Sequence, residues 1–123
     1  MKLVNFIIAL FCLMQIGYAQ TTFTVTNTND SGVGSLRQAI LDAEADPGAD
    51  IIDATSAAGT ITLASSLPNV TQGLTINGNP SVSLIVDGNN TCRPFFIGGN
   101  LETSTEAPVV ALNDLTIQNG LAS

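Results

Sequence analysis

An arginine just past a glycine-rich loop is an arrangement with which a protein can hold an anion. The stretch Asn29–Ile40, NDSGVGSLRQAI, has that form, with Gly32 and Gly34 in a polar loop and Arg37 in the apolar-periodic run that follows. Backbone N–H groups at a helix start do attract anions. Neither phosphate signature is complete, however: no Lys-Ser/Thr pair follows the glycines, and no GxGxxG is present. The same residues also describe the start of an amphipathic helix. Leu36, Ala39, Ile40 and Ala43 recur at helical spacing, and Ser35 with Gln38 three residues later forms a capping-box pattern. On this reading the helix covers an apolar core, Asp46-Pro47-Gly48 stops it, and Arg37 faces solvent or pairs with a carboxylate such as Asp30 or Asp50.

Acid–base chemistry is the second candidate. Glycoside hydrolysis uses two carboxyl groups about 5–10 Å apart across the scissile bond. Asp53, Asp87 and Asp114 each fall at or near a predicted strand edge, where stacking could align them. All three also sit where turns favour Asp, as in Asp87-Gly88-Asn89, and no spacing forces any two together. Asp87-Gly88-Asn89-Asn90 lacks the ligand density of a calcium loop. Thr24/Thr26 and Thr60/Thr62 invite an ice-ordering threonine ladder, but the pairs do not recur regularly, and β propensity accounts for them. Cys92 reads as a small buried hydrophobe. No residue is therefore assigned a catalytic, cofactor-binding or metal-ligating role, and no cofactor is expected.

Composition narrows the classes. The 123 residues carry a formal charge of −7, with 3 Lys+Arg, 10 Asp+Glu and no His. Residues 1–19 read as a secretory signal peptide: Lys2, an apolar run from Leu3 to Ile16, and the small residues Gly17 and Ala19 before Gln20. Cys12 lies inside that run after Phe11, where a lipid-modified cysteine would need a small neighbour. Cleavage after Ala19 would leave Arg37 and Arg93 as the only cations, which argues against nucleic acid and against anionic lipid. Cys92 would be the only remaining cysteine, so no intrachain disulfide could form. A secreted chain without disulfides fits bacterial export, which makes the sequons at Asn29, Asn69 and Asn89 incidental.

The elements that must position any site are short. Phe23–Thr26 alternates as a strand, the helix follows, and the rest is apolar triplets divided by Gly, Asn, Asp and Pro. Two interleaved series emerge, one at Ile51, Leu74, Phe95 and Leu115, the other at Ile61, Leu84 and Val109, with steps of about 20–25 residues. Leu74-Thr75-Ile76-Asn77-Gly78 and Leu115-Thr116-Ile117-Gln118-Asn119-Gly120 read as copies of one unit. A β-sandwich also has short strands. A near-constant return step instead predicts a coil whose strands stack in parallel.

Residues 23–32, then 34–40, then 48–52 resemble the start of large secreted right-handed parallel β-helix proteins: the pectate-lyase-like, polymorphic outer-membrane-protein and autotransporter-adhesin-like surface proteins. The unit Val110–Gly120 is similar to their coil repeat. The resemblance implies an all-β fold, a right-handed parallel β-helix (solenoid) of about three coils with a short N-terminal capping helix. Its divisions are residues 1–19 as signal, 20–50 as strand and capping helix, and 51–123 as coils, truncated at the C-terminus. It further implies a secreted or cell-surface, outer-membrane-associated bacterial protein, adhesin-like or structural and without catalysis in this segment. Glycans or surface proteins would be its partners, with further coils stacking on it, and it would hold no nucleic acid and no membrane-integral segment after cleavage. The alternative is the N-terminal segment of a polysaccharide lyase or glycoside hydrolase whose active site lies beyond Ser123. Lyases of this fold pair calcium-binding acids with a base, and Arg93 is the one basic residue on the expected coils.

Overall fold

A computed structural model describes residues 17–98 and 107–122. Of the expected leader, residues 1–19, residues 1–16 lie outside the described residues. Seven strands and one helix follow in the order β1 (Thr22–Thr24), α1 (Leu36–Ala45), β2 (Asp50–Asp53), β3 (Gly59–Thr62), β4 (Leu74–Asn77), β5 (Leu84–Asp87), β6 (Val110–Asn113) and β7 (Thr116–Gln118). They form two parallel sheets, ordered β1-β2-β4-β6 and β3-β5-β7. No helix among the described residues is long and apolar enough to cross a membrane.

Local sequence explains each element. Ser35 caps α1 from an extended conformation, its Oγ accepting from Gln38 N at 3.2 Å and donating to Gly32 O at 2.7 Å. Leu36, Ala39, Ile40 and Ala43 are the buried face. In β2, β4 and β5 buried residues alternate with half-buried ones, so every second side chain enters the core. Register stacks Phe23, Ile52, Ile76 and Leu112 in one row and Ile61, Val86 and Ile117 in another. Together with Val25, Leu36, Ile40, Leu63, Val70 and Leu84, these rows up to Leu112 and Val86 line a single core cluster, while Ile117 stays exposed. Side-chain burial on this scale is the main favourable term in the fold.

The β-sheet layers meet closely at their corners. Gly78 follows Asn77 at the end of β4, and a Cβ there would collide with the carbonyl of Asp114. Asp114 itself sits in the left-handed region at φ 53°. The short turn between β6 and β7 therefore crosses the backbone of the turn after β4 with no side chain between them.

The architecture corrects the expected fold. The described residues form a small α/β domain with two parallel sheets and one helix, and not an all-β solenoid of stacked β-helix coils. The helix does cover the apolar core as expected, its Leu36 and Ile40 fully buried in the same cluster as the sheets. The expected regular return step also fails. Asp50 lies in register with Leu74, but Asn77 is paired with Asn113, a separation of 36 residues. Phe95–Ile97, expected to be a strand, contributes only an isolated bridge between Val70 and Ile97. Pro94 precedes it and has no N–H to give to a ladder. In consequence Leu74–Asn77 and Thr116–Gln118, which look like repeats, belong to different sheets, and Val110–Asn113 joins the sheet of Leu74.

Candidate functional site

The glycine loop is held shut by its own chain. Gly32 and Gly34 have φ of 91° and 78°, which turn the backbone so that the Gly34 carbonyl accepts from both Thr26 N and Asn27 N at 2.9 and 3.3 Å. Asn27 Nδ2 donates to Val33 O at 2.9 Å. Arg37 then turns back onto the protein. Its Nη2 donates to Asp30 Oδ1 and to Ser65 O, both at 2.8 Å, its Nη1 to Ser66 O at 2.6 Å, and its Nε to Asp30 O at 3.0 Å. Of the two carboxylates considered as its partner, Asp30 is the one it pairs with. With Nε, Nη1 and Nη2 all engaged, the guanidinium ties the helix start to the Ser65–Ser66 loop and is not presented to a ligand.

The helix end is fastened just as thoroughly. The Glu44 carboxylate accepts from Thr71 N and Oγ1 at 3.1 and 2.5 Å, and Gln72 donates from Nε2 to Glu44 O while its Oε1 accepts from Gly48 N, both at 2.9 Å. None of these contacts was signalled by the sequence, because they join residues 24–28 positions apart.

The three strand-end acids do not converge. Asp53 closes the first sheet's β2 and accepts from Thr55 Oγ1 at 2.6 Å and Thr55 N at 3.0 Å. Those bonds, the hydroxyl's first, hold its pKa below the ordinary value of 3.8. Asp87 closes β5 in the other sheet. It accepts from Gln118 Nε2 at 2.9 Å, from Asn89 N at 2.8 Å and from Asn119 Nδ2 at 3.1 Å. The Gln118 bond is the main cause of a similarly lowered pKa. Asp114 is exposed in the turn between β6 and β7. A general acid for glycoside cleavage needs its pKa raised, whereas Asp53 and Asp87 are shifted the opposite way.

What the sheets do bring together is a pair of polar rows. In the first sheet Thr24, Asp53, Asn77 and Asn113 stand in register, and Asn113 Nδ2 donates to Asn77 Oδ1 at 2.9 Å. In the second, Thr62, Asp87 and Gln118 do the same, with Asn119 added to Asp87. Parallel neighbours stand about 4.8 Å apart, so each row repeats amide and carboxylate groups at that spacing. Threonines occupy scattered places: Thr60 and Thr116 flank Ile85, and Thr22 and Thr75 flank Ile51.

The remaining candidates are dispersed. Arg93 places its guanidinium 5.7 Å from the Phe96 ring centroid, outside any strand. Cys92 is half-buried, with Sγ 3.6 Å from Gly88 O. A groove of about 270 Å³ opens between the turn Asn79–Ser83 and residues Asp114–Thr116. It was not foreseen, because the two turns meet only through the long-range pairing of β4 with β6 and β5 with β7. Among the described residues, no group of three or more His, Cys, Asp or Glu side chains could hold a metal ion. No protein-family model, no characterised protein and no solved structure matches this chain.

Proposed function

We propose that this chain is a secreted or cell-surface structural and adhesive module that works by adsorption and does no chemistry in these residues. The observation that carries the reading is the pair of solvent-facing polar rows, tied across strands by the Asn113–Asn77 and Gln118–Asp87 bonds. A row fixed in this way presents donors and acceptors at strand spacing with little ordering cost left to pay on contact, which suits hydroxyl-rich partners such as glycans. The acids in it serve as acceptors, and the bonds they receive favour their charged form and lower their pKa values.

The second element of the proposal is a partner that adds further parallel strands. β6 and β7 are terminal strands in their sheets. Ile117 is 45% exposed although Val86, its register partner, is fully buried. A further layer would cover Ile117, Leu112 and Leu115 as β6 and β7 cover the layers before them.

Expression of residues 1–123 in a Gram-negative host, with fractionation, tests the location: the reading expects the chain in the periplasm, at the outer membrane or in the medium, and retention in the cytoplasm refutes it. A glycan array with the exported chain tests the surface. Binding should fall about tenfold on changing Asn77 and Asn113 together to Ala, each lost bond being worth roughly 0.5–1.5 kcal/mol. Unchanged binding would remove the rows from the site.

A further inference from the structure

Asp50 is the one buried acid among the described residues, 2% exposed, at the start of β2. Its Oδ1 accepts from Thr21 N at 2.9 Å. Its Oδ2 is buried, and no donor among the described residues reaches it. A carboxylate oxygen left this way costs on the order of several kcal/mol unless something satisfies it. Acids are almost never fully buried without a partner, so the position needs one.

The chain itself supplies a donor of suitable charge at this place. Thr21 is locked on both sides, its N–H on Asp50 and its carbonyl accepting from Ile51 N at 2.9 Å. The nitrogen of Gln20 is one residue away, and covalent geometry keeps it within about 4 Å of Thr21 N. The small residues before Gln20 mark it as the first residue left after leader removal. In the uncut chain that nitrogen is a neutral amide; after cleavage it is an ammonium with three donors and a free choice of orientation. We propose that Asp50 is the binding site for the α-ammonium group of Gln20, so that leader removal completes an internal ion pair at the start of the first sheet. The inference rests on the secretion reading.

The pairing links processing to folding. Before cleavage the Thr21 N–H is the one donor among the described residues that the carboxylate meets, and the edge strand β1 is held by its short three-residue register with β2. After cleavage the same acid grips the chain end, and β1 is clamped just before its first residue, Thr22. Two neighbouring donors on one carboxylate also explain why an acid stands at an inward position otherwise taken by residues such as Leu74, its register partner.

The sequence offers an unusually clean probe. Lys2 is the only lysine, so once the leader is gone the α-amine is the only amine in the protein. Protein exported by the host and processed there should first be identified by its N-terminal sequence. A start at a residue other than Gln20 would overturn the proposal, since Gln20 would then carry no ammonium, while export of the chain would still support the secretion reading. On protein beginning at Gln20, an amine-reactive acetylating agent at pH 7 reads the pairing directly. The expected result is labelling about tenfold slower in the folded wild type than in Asp50→Asn, the change that one pKa unit makes to the free amine. Acetylated wild type should also melt on the order of 5 °C below unmodified protein. That second reading stands if Asp50→Asn does not fold. Equal labelling rates in the two folded proteins, no loss of melting temperature on acetylation, or an exported chain already cyclised to pyroglutamate would overturn the proposal.

Discussion

At the scale of single residues, this protein uses its few charges as ties. Arg37 makes four bonds from one guanidinium, three of them to carbonyl oxygens, while its side chain stays 15% exposed. A lysine cannot reproduce a planar fork, so Arg37→Lys should lower stability by about 2 kcal/mol, measured as a shift in the urea midpoint. Asp87 makes a different prediction, through pH. Its folded pKa is depressed, so the unfolded chain binds the proton more readily, and the contribution to stability is present above the ordinary pKa of 3.8 and lost as pH falls through the lower folded value. Urea midpoints recorded from pH 6 down to pH 2 should therefore decline less steeply in Asp87→Asn than in wild type. A parallel decline would mean that the Gln118 and Asn119 bonds do not discriminate between the charged and neutral acid. The residues that matter most here were not legible in sequence as such. Asp30 was one of two partners open to Arg37, and Asp50's burial depends on a strand edge formed by residues 29 positions earlier.

At the scale of elements, legibility followed the range of the interactions. The helix could be read because its signals are local: Ser35 and Gln38 are three residues apart, and the buried face repeats within ten residues. Replacing the cap by alanine should cost about 1 kcal/mol, with a further loss because Ser35 is fully buried and also donates to Gly32 O. Gly78→Ala should be worse, since its Cβ has nowhere to go except into the Asp114 backbone; a loss of at least about 2 kcal/mol is expected, and calorimetry would show it. The first strands were also readable, Ile51, Ile61, Leu74 and Leu84 each lying in or at a real strand. Their pairing after residue 90 was not. Which strand stacks on which is decided by the length of the connection between them, and the stretch between β5 and β6 shifts the phase so that Val110 returns beside Leu74 and Thr116 beside Leu84's strand. A repeat search assumes a constant step and cannot register such a shift. That assumption is what turned an α/β domain with two parallel sheets into an expected coil of uniform turns.

At the scale of the whole molecule, the two ends differ. α1 packs its apolar face near the start of the first sheet, which ends at β6, while the second sheet ends at β7; inward residues grow more exposed toward both last strands, Ile52 and Ile76 being fully buried and Leu112 half-buried in the first sheet, and Val86 fully buried and Ile117 45% exposed in the second. Stability should follow the same gradient. Amide hydrogen exchange is expected to be slowest at Ile52 and Ile76 and fastest in Thr116–Gln118, because strands at the edge open without unfolding the rest. On the proposed reading, the exposed strands β6 and β7 would add further strands, and the polar rows would adsorb hydroxyl-rich chains. Adsorption without chemistry is the central claim, and surface plasmon resonance on an immobilised acidic or neutral polysaccharide tests it in a single trace. The exported protein should raise the signal saturably and leave the baseline intact when it washes off. A baseline that falls below its starting level, as the polysaccharide is cut away, would contradict the claim.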